Sequence, residues 1–203
     1  MDIVACYNRL PHMHEYDLIA DWYAKDRTHL TGLPEVQTFA NSLRPGASVL
    51  DVGCGNGIPL TCFLVEAGFD VLGIDSSSKM LEKFRSNLPR TPAICEKIQS
   101  CDFRGRMFDA AISWGVLFHL THEEQRQTFE KMAEVLKPEG MFLFTSGDKD
   151  GDIEGAPMDG VPFHYYSFSI EGYRDILRDY GFTLIDTHSD RGQNIYYLAT
   201  RTI

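Results

Sequence analysis

The chain has 203 residues, enough to bury a sheet core within one domain, and carries no repeat or low-complexity segment. Its 29 acidic against 19 basic residues give a net charge of -10, which repels the phosphate backbone that supplies most non-specific affinity for nucleic acid, so DNA and RNA are not expected as partners. The five cysteines, Cys6, Cys54, Cys62, Cys95 and Cys101, form no C-x-x-C pair and no zinc-ligand spacing, and no apolar run approaches the roughly 18 residues that span a bilayer. Reduced thiols, no metal site, no membrane and a cytoplasmic location are therefore expected.

In chain order, EYDLIADWYAKDRTH (15–29) sets Tyr16, Ile19 and Tyr23 beside Leu18 and Trp22 at helical spacing and predicts an amphipathic helix. A second helix starts at Pro34 and ends near Leu43, before Arg44-Pro45-Gly46. Apolar β-rich runs near 48–52, 70–74, 93–98, 108–113 and 140–146 then alternate with helical patterns, which implies right-handed βαβ units and a parallel sheet covered on both faces. The intervening helices have readable ends: Gly68 after TCFLVEA, Ser76 to Ser78 before KMLEKFRSNL, and a Thr121/Glu124 capping box before QRQTFEKMAEVL, with Pro138 as the stop. Lys83, Arg85 and Arg90 read as a solvated helix face.

The glycine-rich, acidic stretch between Phe144 and Ser169 is longer than ordinary connections and reads as a lid forming part of a substrate wall. Within it DKDGD (148–152) has carboxylates at three alternate positions, but Ile153 and Asp159 stand where a calcium loop needs Gly and Glu, so a solvated turn is expected. Ser169 caps IEGYRDILRDY, Gly181 ends it, and FTLID (182–186) and NIYYLATR (194–201) read as an antiparallel pair.

The most informative segment is VLDVGCGNGIP (49–59) followed by GIDSSSKML (73–81). A strand runs into Gly53, Gly55 and Gly57, and a second strand closes on Asp75. A dinucleotide fingerprint requires a third glycine where Ile58 stands, and no Gly-Lys-Ser/Thr follows to make a phosphate loop. These glycines serve a tight turn and close approach of a ligand to the backbone.

VLDVGCGNG, GIDSSSKML, SCDF (100–103), FDAAISWGVLFHL (108–120) and LKPEGMFLF (136–144) together resemble, in order, the motifs of class I S-adenosylmethionine-dependent methyltransferases of the small-molecule type. The resemblance implies an α/β fold, a Rossmann-like three-layer αβα sandwich whose mostly parallel seven-stranded sheet ends in a C-terminal antiparallel hairpin. It implies a single domain over 1–203, with a helical cap (1–45), a cofactor-binding core (46–146), a lid (147–168) and a C-terminal helix with two strands (169–203). The implied cofactor is S-adenosylmethionine, leaving as S-adenosylhomocysteine. Asp75 would grip the ribose hydroxyls, Asp51 would lie near the cofactor's ammonium, and Asp102 would meet the adenine amino group with Phe103 beside it. Gly53, Gly55, Ser76, Met80 and Trp114 complete the expected cofactor contacts, and YDLIADWY (16–23) resembles a closing helix from which Tyr16 and Arg27 reach the methionine carboxylate.

Methyl transfer is an in-line displacement on an activated carbon, so alignment and exclusion of water matter most, and a base matters only where the acceptor must lose a proton. His119 and His164 are the candidates, each either that base or a packed, substrate-lining side chain. Trp22, Phe118 and Tyr165 join them as expected lining, while His12, His14, His29, His122 and His188 read as surface or loop residues. Cys54 and Cys62 read as buried small hydrophobes. The expected partner is a small-molecule acceptor, with the chain a monomer or homodimer; a cofactor-binding subunit without catalysis is the alternative.

Overall fold

The computed structural model describes residues 15–26, 32–189 and 195–202. Its strands are β1 (Ser48–Val52), β2 (Asp70–Asp75), β3 (Ala93–Cys95), β4 (Phe108–Ser113), β5 (Leu136–Ser146), β6 (Gly151–Glu154), β7 (His164–Ser167), β8 (Phe182–Ser189) and β9 (Ile195–Arg201). Seven of them form one sheet in the order β3-β2-β1-β4-β5-β9-β8, parallel through β5, with β9 antiparallel to both β5 and β8. Strand order reverses between β1 and β4, and ligands of open α/β sheets bind in the crevice at such a point.

Alternation along the central strands explains the three layers. Leu50, Leu72, Ala111, Phe142 and Phe144 point to one face, where they pack on Phe129 and Met132 of α5 (His122–Val135) and on Tyr173, Ile176 and Leu177 of α6 (Ile170–Asp179). Val49, Val71, Ala110, Ile112 and Leu143 point to the other, against Val36 and Phe39 of α2 (Leu33–Ala40) and Leu60 and Leu64 of α3 (Leu60–Glu66). The two remaining helices are α1 (Glu15–Asp26) and α4 (Ser78–Asn87).

Several predicted ends are met by the expected atoms. Ser77 Oγ accepts from Met80 N at 3.1 Å, Thr121 and Glu124 form the reciprocal capping box, and Ser169 Oγ accepts from Gly172 N at 3.3 Å. Other boundaries move. α2 stops at Ala40, β3 ends at Cys95 instead of 98, and α5 ends at Val135 with Leu136 already extended. Leu136 pairs with Phe108, residues 137–140 bulge outward with Glu139 at φ 64°, and Met141 resumes pairing at Ala110.

The expected lid loop also contains regular structure: β6 and β7 form an antiparallel hairpin, and Met158 bridges Val161 between them. The DKDGD carboxylates serve that hairpin, since Asp150 Oδ1 accepts from Ser169 N at 3.0 Å and Asp152 is bonded to His164. Among the described residues no helix is long and apolar enough to cross a membrane.

Candidate active site

The loop after β1 returns across the end of β2. The N–H groups of Gly53 and Cys54 donate to the Ile74 carbonyl at 2.7 and 3.1 Å. Gly53 has φ 70°, and a Cβ there would stand 2.2 Å from Val116 Cγ2, so the close approach of this loop to the segment after β4 depends on glycine. Gly55 has φ 54°, and a Cβ there would meet nothing within 4 Å; a side chain would instead project from the cavity wall that Gly55 helps form.

Asp75, at the end of β2, organises the same loop. Its Oδ2 accepts from Gly55 N at 2.8 Å and its Oδ1 from Ser77 N at 2.8 Å, so one carboxylate fixes both the glycine turn and the start of α4.

α1 is fastened across this region. Asp17 Oδ1 accepts from Ser77 Oγ at 2.6 Å and from Lys79 N at 3.1 Å, placing an anion at the N-terminus of α4, and Lys83 bonds to Asp21 at 2.5 Å. Tyr16 then reaches the 3₁₀ turn Leu117–His119 after β4, where its hydroxyl lies 2.9 Å from His119 Nε2. The His119 ring sits 5.1 to 5.4 Å from Tyr16, Phe163 and Tyr165 and 4.7 Å from Phe118.

These elements enclose a cavity of about 370 Å³. Its floor is the β1 and β2 ends with Gly53, Gly55, Asp75, Ser76 and Met80. Trp114, His119, Tyr16 and Tyr23 form one side, and Phe163, His164 and Tyr166 of the hairpin region close another. Trp114 is buried, with its indole against Gly32, where a Cβ would come within 2.4 Å of the ring.

Residues 49–140 match the family described as a methyltransferase domain. Over this core the chain is similar to methyltransferases. A tRNA (carboxymethyluridine(34)-5-O)-methyltransferase of Arabidopsis thaliana is 33% identical over 135 residues, covering 64% of this chain and 31% of that protein. A glycine/sarcosine N-methyltransferase of Aphanothece halophytica is 32% identical over 177 residues, covering 82% of this chain and 64% of that protein. The chain thus spans less than two thirds of either relative. The structure of the CcbJ methyltransferase from Streptomyces caelestis has the same fold, with a TM-score of 0.79 at 17% identity over 96% of this chain and 100% of that one.

Several expected positions lie away from the cavity. Asp102 is exposed, and its Oδ1 accepts from Arg104 N at 2.7 Å in a tight turn; Phe103 packs edge-on against Phe108 in the core. Neither lines the cavity, which takes Glu96, Lys97, Ile98 and Gln99 from just past β3 instead. Sequence reasoning missed these four because it ran β3 through 98. Asp51 is buried beneath the loop and accepts from Thr61 Oγ1 at 2.6 Å, so it supports the site from behind.

Trp22 packs in the cluster around Ile19, Val161 and Phe163, while Phe118 and Tyr165 stand behind His119. Burial pushes the Tyr165 hydroxyl upward. His164 lines the rim, yet its side chain is 44% exposed and its Nε2 is bonded to Asp152. Arg27, with His12, His14, His29 and Cys6, lies outside the described residues.

His122 is not a free surface residue, since its Nε2 is 3.0 Å from the Ser167 carbonyl. Burial pushes the Cys54 thiol well above its ordinary value, helped by the Asp51 and Asp75 carboxylates, as suits a packed, inert thiol. Cys62 differs from expectation: it is partly exposed and 3.5 Å from Glu66 Oε1.

Proposed function

We propose that the cavity binds S-adenosylmethionine and that the protein transfers its methyl group to a nucleophilic atom of a small molecule, releasing S-adenosylhomocysteine. The observation that carries this reading is the convergence of Asp75, the glycine turn and α1 on one cavity. The donors and acceptors fit the group. The Asp75 carboxylate at the cavity wall is the kind of acceptor that ribose hydroxyls require, and Gly55 leaves open the space a side chain would fill. Ser76, Met80 and Trp114 supply further walls, and the Glu96–Gln99 run takes the adenine-side place expected of Asp102.

When bound, S-adenosylmethionine supplies a methyl carbon open to in-line displacement. The chain's own work is to hold both reactants, exclude water and handle a proton. α1 and the β6–β7 hairpin region do the first two by covering the crevice. For the third, an acceptor proton passes to the Tyr16 oxygen as Tyr16 gives its own to His119 Nε2, the one histidine nitrogen bonded to a hydroxyl at the cavity wall among the described residues. His164, exposed and held by Asp152, is a rim residue in this scheme and takes no proton.

A covered cavity favours a small acceptor over a base within a polynucleotide. The glycine/sarcosine relative bears a small acceptor in its name and the Arabidopsis relative a tRNA, but the charge of -10 opposes the latter for this chain. Titration calorimetry with S-adenosylhomocysteine, followed by methyl-tritiated S-adenosylmethionine with a panel of amines, phenols and thiols, tests the proposal. Binding plus a labelled product is expected. No binding refutes the site, and binding without product across the panel favours a cofactor-binding subunit.

A further inference from the structure

Taking the methyl-transfer reading as its base, the cavity chemistry points to a narrower acceptor: we infer that the substrate is a compact organic cation, an amine carried in as its ammonium and seated against aromatic faces. The first observation is the wall. Tyr16, Tyr23, Trp114, Phe163 and Tyr166 all line the cavity, and ring faces carry the negative side of the aromatic quadrupole, which attracts cations and repels anions. Tyr16 is itself held edge-on between Tyr23 at 5.6 Å and Phe163 at 5.3 Å, so these faces are fixed before any ligand arrives.

The second observation is the charge set around that wall. Glu15 and Glu124 line the cavity beside the cofactor-side Asp75 and Glu96, and among the described residues the only lysine or arginine lining it is Lys97, which is bonded to Glu124 at 3.3 Å. The neighbouring stretch 148–159, which leads into the cavity-lining residues Pro162 to His164, carries Asp148, Asp150, Asp152, Glu154 and Asp159 against Lys149. A mouth of one sign focuses its field and raises the local concentration of opposite charge. An acceptor bearing a carboxylate or phosphate meets repulsion from these acids and, among the described residues, no cation at the wall other than the Glu124-paired Lys97.

The chemistry balances for an amine. The ammonium gives one proton to the Tyr16 oxygen, Tyr16 passes its own to His119 Nε2, and the freed nitrogen lone pair forms the new N–C bond. The C–S bond breaks with its electron pair going to sulfur, which leaves as a neutral thioether. The product is the methylated ammonium, and the His119 proton returns to solvent.

The test uses the full chain saturated with S-adenosylhomocysteine and three probes of similar size: phenethylamine, 2-phenylethanol and phenylacetate, with affinities read by calorimetry. Phenethylamine is expected to bind at least about tenfold more tightly than phenylacetate and several-fold more tightly than the alcohol, in line with the strength of a desolvated cation–aromatic contact. Glu15→Gln is expected to weaken the amine two- to threefold and leave the alcohol unchanged. Equal or tighter binding of phenylacetate, no discrimination between amine and alcohol, or no binding of any probe to the loaded protein overturns the inference. Failure of S-adenosylhomocysteine itself to bind instead refutes the cofactor site, so the two failures are distinguishable.

Discussion

Asp75→Asn separates the structural and ligand-binding duties of one carboxylate. In the native protein each oxygen accepts one backbone N–H at 2.8 Å, from Gly55 and from Ser77. An ionised carboxylate offers about four acceptor sites; an amide offers two, on one oxygen, and its NH2 must face one of those N–H donors. The loss to the fold is one charge-assisted bond, worth about 1.5 to 3 kcal/mol in a buried setting and taken at about 1 to 2 kcal/mol for the half-buried Asp75. For a domain of this size that lowers the melting temperature by roughly 2 to 8 °C. The loss to S-adenosylhomocysteine is expected to be larger, since in the proposed site its ribose hydroxyls would bond to this carboxylate. About 2 to 3 kcal/mol is expected, or roughly 30- to 150-fold in Kd. Calorimetric titration beside denaturant melts of both proteins reads the two effects separately. An affinity within twofold of native, with the fold intact, would falsify the assignment of Asp75 to the ribose.

Gly53→Ala adds a Cβ 2.2 Å from Val116 Cγ2 at φ 70°, where an L-residue also costs about 1 to 2 kcal/mol, so the loop must shift and S-adenosylhomocysteine affinity should fall at least tenfold by calorimetry. Gln125→Leu removes Nε2 donors to the Leu120 and Tyr166 carbonyls at 2.9 and 3.0 Å and the acceptor of the Tyr173 hydroxyl at 2.8 Å; leaving such groups unpaired costs about 3 kcal/mol, with faster amide exchange over 164–167 as the local readout. Asp109→Asn acts at the opposite end of the sheet. Burial opposes that charge, but Ser48 N–H and hydroxyl, Lys137 and Arg44 outweigh it and hold the carboxyl well below its ordinary range. Its contribution, about 2 to 3 kcal/mol, is therefore present above the unfolded-chain value near 4 and fades as pH falls through the depressed folded value, so native and variant melts should converge in acid and separate at neutral pH.

The sheet was legible because its signals were redundant. Val49 and Leu50, or Leu143 and Phe144, need only be consecutive apolar residues for a two-faced buried strand, whichever way each one points. Helix starts were equally local, since a cap is a bond between residues three apart, as at Thr121 and Glu124. The boundaries that moved depend on non-local pairing. Leu136 is a strand residue only because Phe108 lies beside it, and the hairpin in residues 147–168 forms through the pairing of Ile153 with Tyr165 across a sequence whose glycines and acids read locally as loop.

The site divides along the same line. Asp75 and the glycines were readable because their geometry is set within a few residues of a strand end. Asp102 looked equivalent, an acid followed by an aromatic after an apolar run, yet the chain spends four residues past β3 at the cavity before turning away, and by 102 it has left. What fixes that exit is the bond from Glu96 N to the Asp75 carbonyl at 3.1 Å, which lays the Glu96–Gln99 run along the cavity edge. The Tyr16–His119 pair lay further still from local reading, since its partners are 103 residues apart and meet only because Asp17 seats α1 on the first turn of α4. Asp17, which is not among the residues lining this cavity, thereby sets where the proton-handling hydroxyl stands, and the acceptor wall depends on a contact made outside the site.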